Sequence, residues 1–459
     1  MKHQKKCGKK MAITARRMTP YQPIRAIAIF FAFLLFAFLQ THFVFAVDYE
    51  VGPNKTYKAI SQVPLDSLEP GDVVKIYYRK KAYHEKFIIR RSGTKDKPII
   101  IKGIPLKGKQ PVIDGSLACQ GQDEHWPQSG RWLIKVGDGN AADYVQIKNL
   151  ELCNANNSQQ YRKKESNANY EDNAAGIFIR LGRNVLIANC VIHSCGNGIQ
   201  TTYGPDVSYA KISGCLIYDN GNHTNLDSSQ EHNVYLCGTH TTVQFCRFGV
   251  PHSDGNNIKD RGLDTIIRYN WIEGGKNRQL DLVDHKEYGR ADAYVYGNVI
   301  IQGREVNNDN MIHWGGDSGN SRSGTLYLFN NTIVGKLKKT RFIVVRYPDC
   351  NVEMKNNVFI GTGRLWNGKG SLYGSNNWFS YKIDVPPILN LGKQGNQPGF
   401  LPSSNLQYIP ALGSPLINRG TNKVPKRVEY MPKPFAGGTR RPKDGRIDIG
   451  AFEAIYSHK

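Results

Sequence analysis

From about residue 48 onward, apolar residues recur in short β-branched runs rather than at helical spacing, and Gly, Asn and Asp separate the runs. One unit repeats along the chain. A small polar residue followed by an apolar strand occurs at Asn149-Leu150, Cys190-Val191-Ile192, Cys215-Leu216-Ile217, Cys246-Arg247-Phe248, Asn270-Trp271-Ile272, Asn298-Val299-Ile300, Asn331-Thr332-Ile333, Asn357-Val358-Phe359 and Asn377-Trp378-Phe379. From Cys190 the steps are 25, 31, 24, 28, 33, 26 and 20 residues. Each unit also holds an earlier strand, such as Asn233-Val234-Tyr235-Leu236, Asn257-Ile258-Lys259-Asp260, Leu280-Asp281-Leu282-Val283 and Met311-Ile312-His313-Trp314. Short strands repeating at roughly 25 residues predict the coils of a parallel β-helix, an all-β solenoid whose stacked coils bury one continuous core. Unequal steps predict unequal loops, largest around 218–232, 302–311 and 316–324, and such loops wall a groove on one side.

Asn suits the repeated turn because it tolerates left-handed backbone angles and because stacked amides bond along a ladder. Cys190, Cys215 and Cys246 share one register, so they are expected to stack inward as small apolar side chains with Asn270 continuing the column. Cys153 and Cys195 are expected to do the same one turn later. This reading favours free, buried thiols over a disulfide framework. No spacing of Cys and His suggests zinc.

The first 46 residues stand apart. Residues 1–25 hold eight Lys and Arg and no acid, Ala26 to Leu39 is an unbroken apolar run too short for a comfortable membrane span, and "VFA" at 44–46 offers a small-residue cleavage site. The pattern predicts a signal peptide over 1–46, export to the periplasm or medium, and no membrane span after cleavage. A single domain over 47–454 follows, with a cap and first coils at 47–140, central coils at 141–380 and a capping segment at 381–454. Taking eight basic residues from the formal net charge of +23 leaves +15 on the mature chain. So basic an exported protein favours anionic partners, an acidic polysaccharide first among them; without a nucleic-acid motif, nucleic acid is a minor option.

Both ends carry a resemblance. The stretch beginning "YEVGPNKTYKAI" at 49 and running to "PVIDG" at 111–115, with "SPLINRG" at 414–420 and "DGRIDIGAFE" at 444–453, resembles secreted right-handed parallel β-helix proteins of the pectate-lyase type. The resemblance implies the fold, a capped solenoid, and leaves the reaction open; the chain is expected to be a monomer.

Strand alternation locates candidate chemistry. With Ile258 inward, Lys259 and Arg261 face out together, and the neighbouring coils place Gln200, Tyr235, Asp281 and His313 in the column of Lys259. Cleavage of a uronate chain by β-elimination requires a group to neutralise the carboxylate, a base for the C5 proton and a donor for the leaving oxygen. A lysine serves as the base only when its pKa is brought from about 10.4 toward 7 or 8. Arg261 disfavours a second positive charge beside it, whereas Asp281 favours one, so the residues leave the balance open. His285 or His313 is the expected proton carrier, Trp314 a sugar-stacking face, and Lys259→Ala is expected to leave stability nearly unchanged.

Lys259 together with "RYN" at 268–270 is similar to the catalytic coil of the alginate lyase and chondroitinase B family, in which such a Lys is the base. That similarity also implies that Asp254 could be a calcium ligand. It departs from the family at Val283, where an Arg is expected, and at His252, which replaces an acid. Two rivals remain: a glycoside hydrolase using Asp281 and Asp284, and a glycan-binding or envelope-structural protein without catalysis.

Overall fold

The computed structural model describes residues 46–119, 129–222, 231–283, 290–317, 322–387, 390–402, 408–443 and 445–454. These belong to one compact unit, Ala46–Lys459. The predicted leader falls outside them except for Ala46.

Three long parallel sheets dominate the described residues, the first of 12 strands and the second and third of 11 each. The coil containing Cys190 shows the order: Leu186–Ala188 in the first sheet, Val191–His193 in the second and Asn197–Thr201 in the third. Each strand pairs in parallel with its counterpart one coil away, so the chain winds as a right-handed parallel β-helix. Inward-facing Ile, Val, Leu and Phe from all three sheets form one core that runs the length of the solenoid. No helix among the described residues is long and apolar enough to cross a membrane.

Two residues turn each coil from the first sheet to the second, and they divide the labour. The first takes a left-handed backbone, as at Asn189, Phe245, Tyr269, Gly297, Asn330, Asn356 and Asn376. The second points inward. The left-handed angle that the sequence assigned to the repeated Asn is found at Asn149, but from Asn270 onward it belongs to the residue before it. The repeated Asn instead satisfies buried backbone.

That inward position forms the predicted ladder. Cys190, Cys215 and Cys246 are buried on successive coils, and the Cys246 N–H donates to Asn270 Oδ1 at 2.9 Å. From there each amide oxygen accepts two hydrogen bonds from the preceding coil. Asn270 gives its backbone N–H (2.9 Å) and Nδ2 (3.0 Å) to Asn298 Oδ1, and the pattern repeats from Asn298 to Asn331, Asn331 to Asn357 and Asn357 to Asn377. The second Nδ2 hydrogen goes to a first-sheet carbonyl, Val295 O for Asn331. All eight described cysteines are free thiols, and all but Cys119 are buried. Cys153 departs from expectation: it lies within a second-sheet strand opposite His193, whereas Cys195 sits in the following turn and donates its N–H to Asn220 Oδ1 at 3.1 Å.

A second amide ladder, not visible in the repeat, lies where the second sheet passes to the third. Asn220 Nδ2 donates to Asn233 Oδ1, Asn233 to Asn257 and Asn257 to Gln279 Oε1, at 2.7–3.0 Å. Each of the last three immediately precedes or opens a third-sheet strand.

The C-terminal segment is laid over the coils, as its Pro and Gly content suggests. Val428 packs on Tyr269, Tyr296 and Phe329 of the first-sheet side, Met431 and Phe452 pack on Trp271 and Val299 of the second, and Leu416 and Ile449 pack on Val358 and Trp378. Among the described residues these outer clusters take nothing from the third sheet. On that sheet the outward residues Gln200, Tyr235 and Lys259 are half-buried. Of the long loops, 218–232 and 302–311 enter the third sheet and 316–324 leaves it, although 223–230 and 318–321 lie outside the described residues.

Removing one rung tests the ladder. Asn331→Ala strips the acceptor from the Asn298 N–H and Nδ2 inside the core, at about 1–3 kcal/mol for each orphaned group. Urea unfolding should therefore show a large drop in midpoint, whereas Asn376→Gly, which loses an exposed hydrogen bond and keeps the left-handed backbone, should shift it little.

Candidate functional site

Five third-sheet strands carry the predicted column: β1 (Asn197–Thr201), β2 (Val234–Leu236), β3 (Ile258–Asp260), β4 (Leu280–Leu282) and β5 (Asn310–Trp314). Their register pairs Gln200 with Tyr235, Tyr235 with Lys259, Lys259 with Asp281 and Asp281 with His313. The column read from strand parity is the column in the structure.

Its centre is Asp281. This carboxylate is 1% exposed and takes four partners: His313 Nδ1 at 2.8 Å, Lys259 Nζ at 3.2 Å, Asn256 Nδ2 at 3.3 Å and Arg278 Nη1 at 3.5 Å. Burial alone would raise its pKa, but the His313 hydrogen bond and the charges of Lys259 and Arg278 overcome that and hold it far below the ordinary carboxylate range. His313 is itself 1% exposed, and its Nε2 has no hydrogen-bond partner. Asp281 and His313 thus lie behind the surface, and the less buried Lys259 contacts Asp281. The absence of free access overturns their expected place as groups touching a substrate.

Lys259 and Arg261 meet a second carboxylate. Asp317, on the connection that leaves β5, accepts from Lys259 Nζ at 2.8 Å and presents both oxygens to Arg261 Nη2 at 2.8 and 2.9 Å. Arg261 Nε donates to the Tyr235 hydroxyl at 3.1 Å, which lies 2.8 Å from the hydroxyl of Tyr203. Burial raises the Tyr235 phenol by more than the Arg261 charge lowers it, so Tyr235 keeps its proton. Burial, with the charge of Lys259, holds His232 well below its ordinary value. Its Nδ1 accepts the Asn256 N–H at 3.2 Å, which makes it a hydrogen-bonded His at a strand end.

Between Lys259 and Arg261, Asp260 turns the other way. It is fully buried, caps the turn through Gly262 N–H and Thr265 Oγ1, and pairs with Arg322 at 3.1 Å. Arg322 also donates to the carbonyls of Asp260, Val283 and Ala291, and its guanidinium lies 4.7 Å from the Trp314 ring centre. This overturns the expected role of Trp314: two residues beyond the inward Ile312, it faces the core, is 0% exposed, and cannot stack on a sugar. Val283, where the similar family has an Arg, is likewise buried.

The remaining candidates divide. Gln200 is half-buried at the end of the column with its Oε1 unpartnered. Asp254 is half-buried on the approach to β3, and the described residues gather no group of three His, Cys, Asp or Glu, so it has no companion ligands there. His285 and Asp284 lie outside the described residues. Sequence reasoning missed Asp317, Arg278, Asn256 and Tyr203. The first three sit in loops, where strand parity is silent; Tyr203 lies just past the end of β1.

The buried charges make a stability prediction. Lys259 was expected to bury little, but its side chain is 12% exposed and neutralises Asp281. Lys259→Ala should cost about 1.5–3 kcal/mol, and Asp281→Ala about 3–5 kcal/mol because it strands several donors. A depressed carboxyl stabilises the fold above its unfolded value of 3.8, and that contribution fades as pH falls below it. Denaturant unfolding at neutral pH and below pH 3.8 should show an acid-dependent loss in the wild type that Asp281→Asn lacks.

No known protein family and no curated protein matches the sequence. Among solved structures the chain is similar to the pectate lyase Pel9A, with 14% identity, coverage of 90% of this chain and 97% of that one, and a TM-score of 0.55. It is also similar to a rhamnogalacturonan lyase, with 13% identity, coverage of 72% and 87%, and a TM-score of 0.50. At these identities the likeness is one of fold, a right-handed parallel β-helix.

Proposed function

We propose that this chain is an exported carbohydrate-active protein that binds an acidic, uronate-bearing polysaccharide on the outer face of the third sheet and cleaves it by β-elimination. The observation that carries the reading is the cluster of Lys259, Arg261 and Arg278, in which Lys259 and Arg278 meet the buried carboxylate of Asp281 and Lys259 and Arg261 meet Asp317, with two phenols alongside, on a sheet that the outer clusters of the C-terminal segment do not cover. The lyase fold of the structural neighbours supports the same class. Arg261 neutralises the sugar carboxylate through a charge-assisted contact. Lys259, once a neutral amine, takes the C5 proton; the C5–H electron pair forms the C4–C5 double bond as the C4–O4 bond breaks. Tyr235, which retains its proton, is placed to protonate the leaving oxygen, a role the sequence gave to His285 or His313. Asp281, Arg278 and His313 position Lys259.

One observation favours a second reading, binding without cleavage. Lys259 Nζ is already engaged by two carboxylates of the protein, Asp281 at 3.2 Å and Asp317 at 2.8 Å, rather than turned toward a substrate.

A panel of uronate polymers, followed by the ultraviolet absorbance of the unsaturated product, separates the two. Cleavage by the wild type, abolished in Lys259→Ala and slowed with a raised KM in Arg261→Ala, is the expected result. Salt-sensitive binding with no product would establish the binding protein. Full activity in Lys259→Ala would leave the reaction class standing and remove the base assignment. Export makes a separate prediction: mass spectrometry of the secreted protein should find its first residue at or near Val47, and a chain retaining residues 1–46 would be anchored instead.

A further inference from the structure

The carboxylate that Lys259 and Arg261 hold already belongs to the protein. Asp317 Oδ2 lies 2.8 Å from Lys259 Nζ, and both Asp317 oxygens face Arg261 Nη2 at 2.8 and 2.9 Å. An ammonium and a guanidinium converging on one planar carboxylate form a carboxylate-binding cradle. A uronate presents the same group to the same donors. We propose that Asp317 is an internal competitor, filling the cradle in the free protein, and that a carboxylated sugar binds by exchanging with it. The inference rests on the acidic-saccharide reading and adds to it a specificity device for the same site.

Three features carry it. Asp317 is the outermost of the three groups: its side chain is 29% exposed, against 12% for Lys259 and 14% for Arg261, so it is the one nearest to water. The cations do not need it to remain in place. Lys259 stays paired with Asp281, and Arg261 stays hydrogen-bonded to Tyr235. Asp317 also comes from far along the chain, just after Gly315 with φ +108 and Gly316, on the connection beyond β5 rather than on the coil that it contacts. Its carboxylate reaches the cradle from outside, as a ligand would. A neutral sugar has nothing to offer two cations in exchange for a carboxylate, so occupancy by Asp317 also rejects uncharged glycans.

While Asp317 occupies the cradle, the apparent affinity of any other carboxylate falls by the fraction of molecules in which the cradle is open. An exposed ion pair worth about 1 kcal/mol makes that factor roughly five- to tenfold. Asp317→Asn keeps the shape and removes the charge, and its exposure makes it compatible with folding.

Two probes applied to the full mature chain test this. The first is acetate, a bare carboxylate, read as the rise in Tm over chloride at matched ionic strength. Asp317→Asn should respond at acetate concentrations roughly five- to tenfold lower than the wild type, and Arg261→Gln in the same background should abolish the response. The second is an oligogalacturonate and its methyl ester by calorimetry: Asp317→Asn should bind the acid more tightly by the same factor and leave the ester unchanged. Equal or weaker carboxylate binding by Asp317→Asn overturns the inference, as does an equal gain for acid and ester. An acetate response with no binding of any uronate oligomer would uphold the cradle and reject the acidic-saccharide reading. Uronate binding with no gain in Asp317→Asn would do the reverse.

Discussion

A solenoid of this kind must turn its backbone inside its own core, and the buried amide groups at those turns constrain everything else. Each turn leaves an inward N–H with no strand partner. In the Asn270 to Asn377 column the side-chain amide of the next coil supplies the acceptor while its own N–H groups reach a carbonyl of the first sheet and the following amide. Hydrogen bonding and coil register thereby become one requirement, since a slip of one residue would put an amide among aliphatic side chains and leave its neighbours unsatisfied. Where Cys190, Cys215 and Cys246 occupy the column, packing of small thiols replaces the amide chain until Cys246 meets Asn270.

The candidate site inherits its order from a parallel device. Asn233, Asn257 and Gln279 link the starts of β2, β3 and β4, fixing which residue of each strand lies beside which. From that register follow the outward column of Tyr235, Lys259 and Asp281 and the opposite turn of Asp260 toward Arg322. The triplet of charges Lys259, Asp260 and Arg261 is thus split by strand parity. Its middle member locks the turn from inside, and its flanking members form the surface. Buried ion pairs rarely add net stability over apolar packing, but breaking one is severe, so the Asp260–Arg322 pair makes the position of Arg261 hard to vary.

What the sequence disclosed follows the same division between strand and loop. A period-2 strand states which residues share a face, and stacking at repeated intervals states which lie beside one another, so Gln200, Tyr235, Lys259, Asp281 and His313 could be aligned without coordinates. Depth could not. Asp281 and His313 have outward parity yet are buried, Asp281 against Arg278, Asn256 and Lys259, and nothing in the strand pattern reports what a neighbouring loop covers. Trp314 shows the converse: an aromatic next to a candidate His suggests a sugar platform, but its parity already placed it with Ile312 on the inward side. Asp317 was illegible because its connection has no periodicity to align it with Lys259, 58 residues earlier.

The C-terminal segment has a consequence for biogenesis. Val428, Met431, Ile449 and Phe452 cover aromatic and aliphatic outer faces at Tyr269, Tyr296, Trp271, Val299 and Val358, yet they come after every one of those residues in the chain. Coils can stack as they emerge, because each needs only its neighbour. Their outer greasy stripes stay bare until the final stretch arrives. During synthesis the half-finished solenoid therefore presents an adhesive flank that its completed form conceals, and the interval between the last coil and the closing strap is when this chain most needs protection from its own copies.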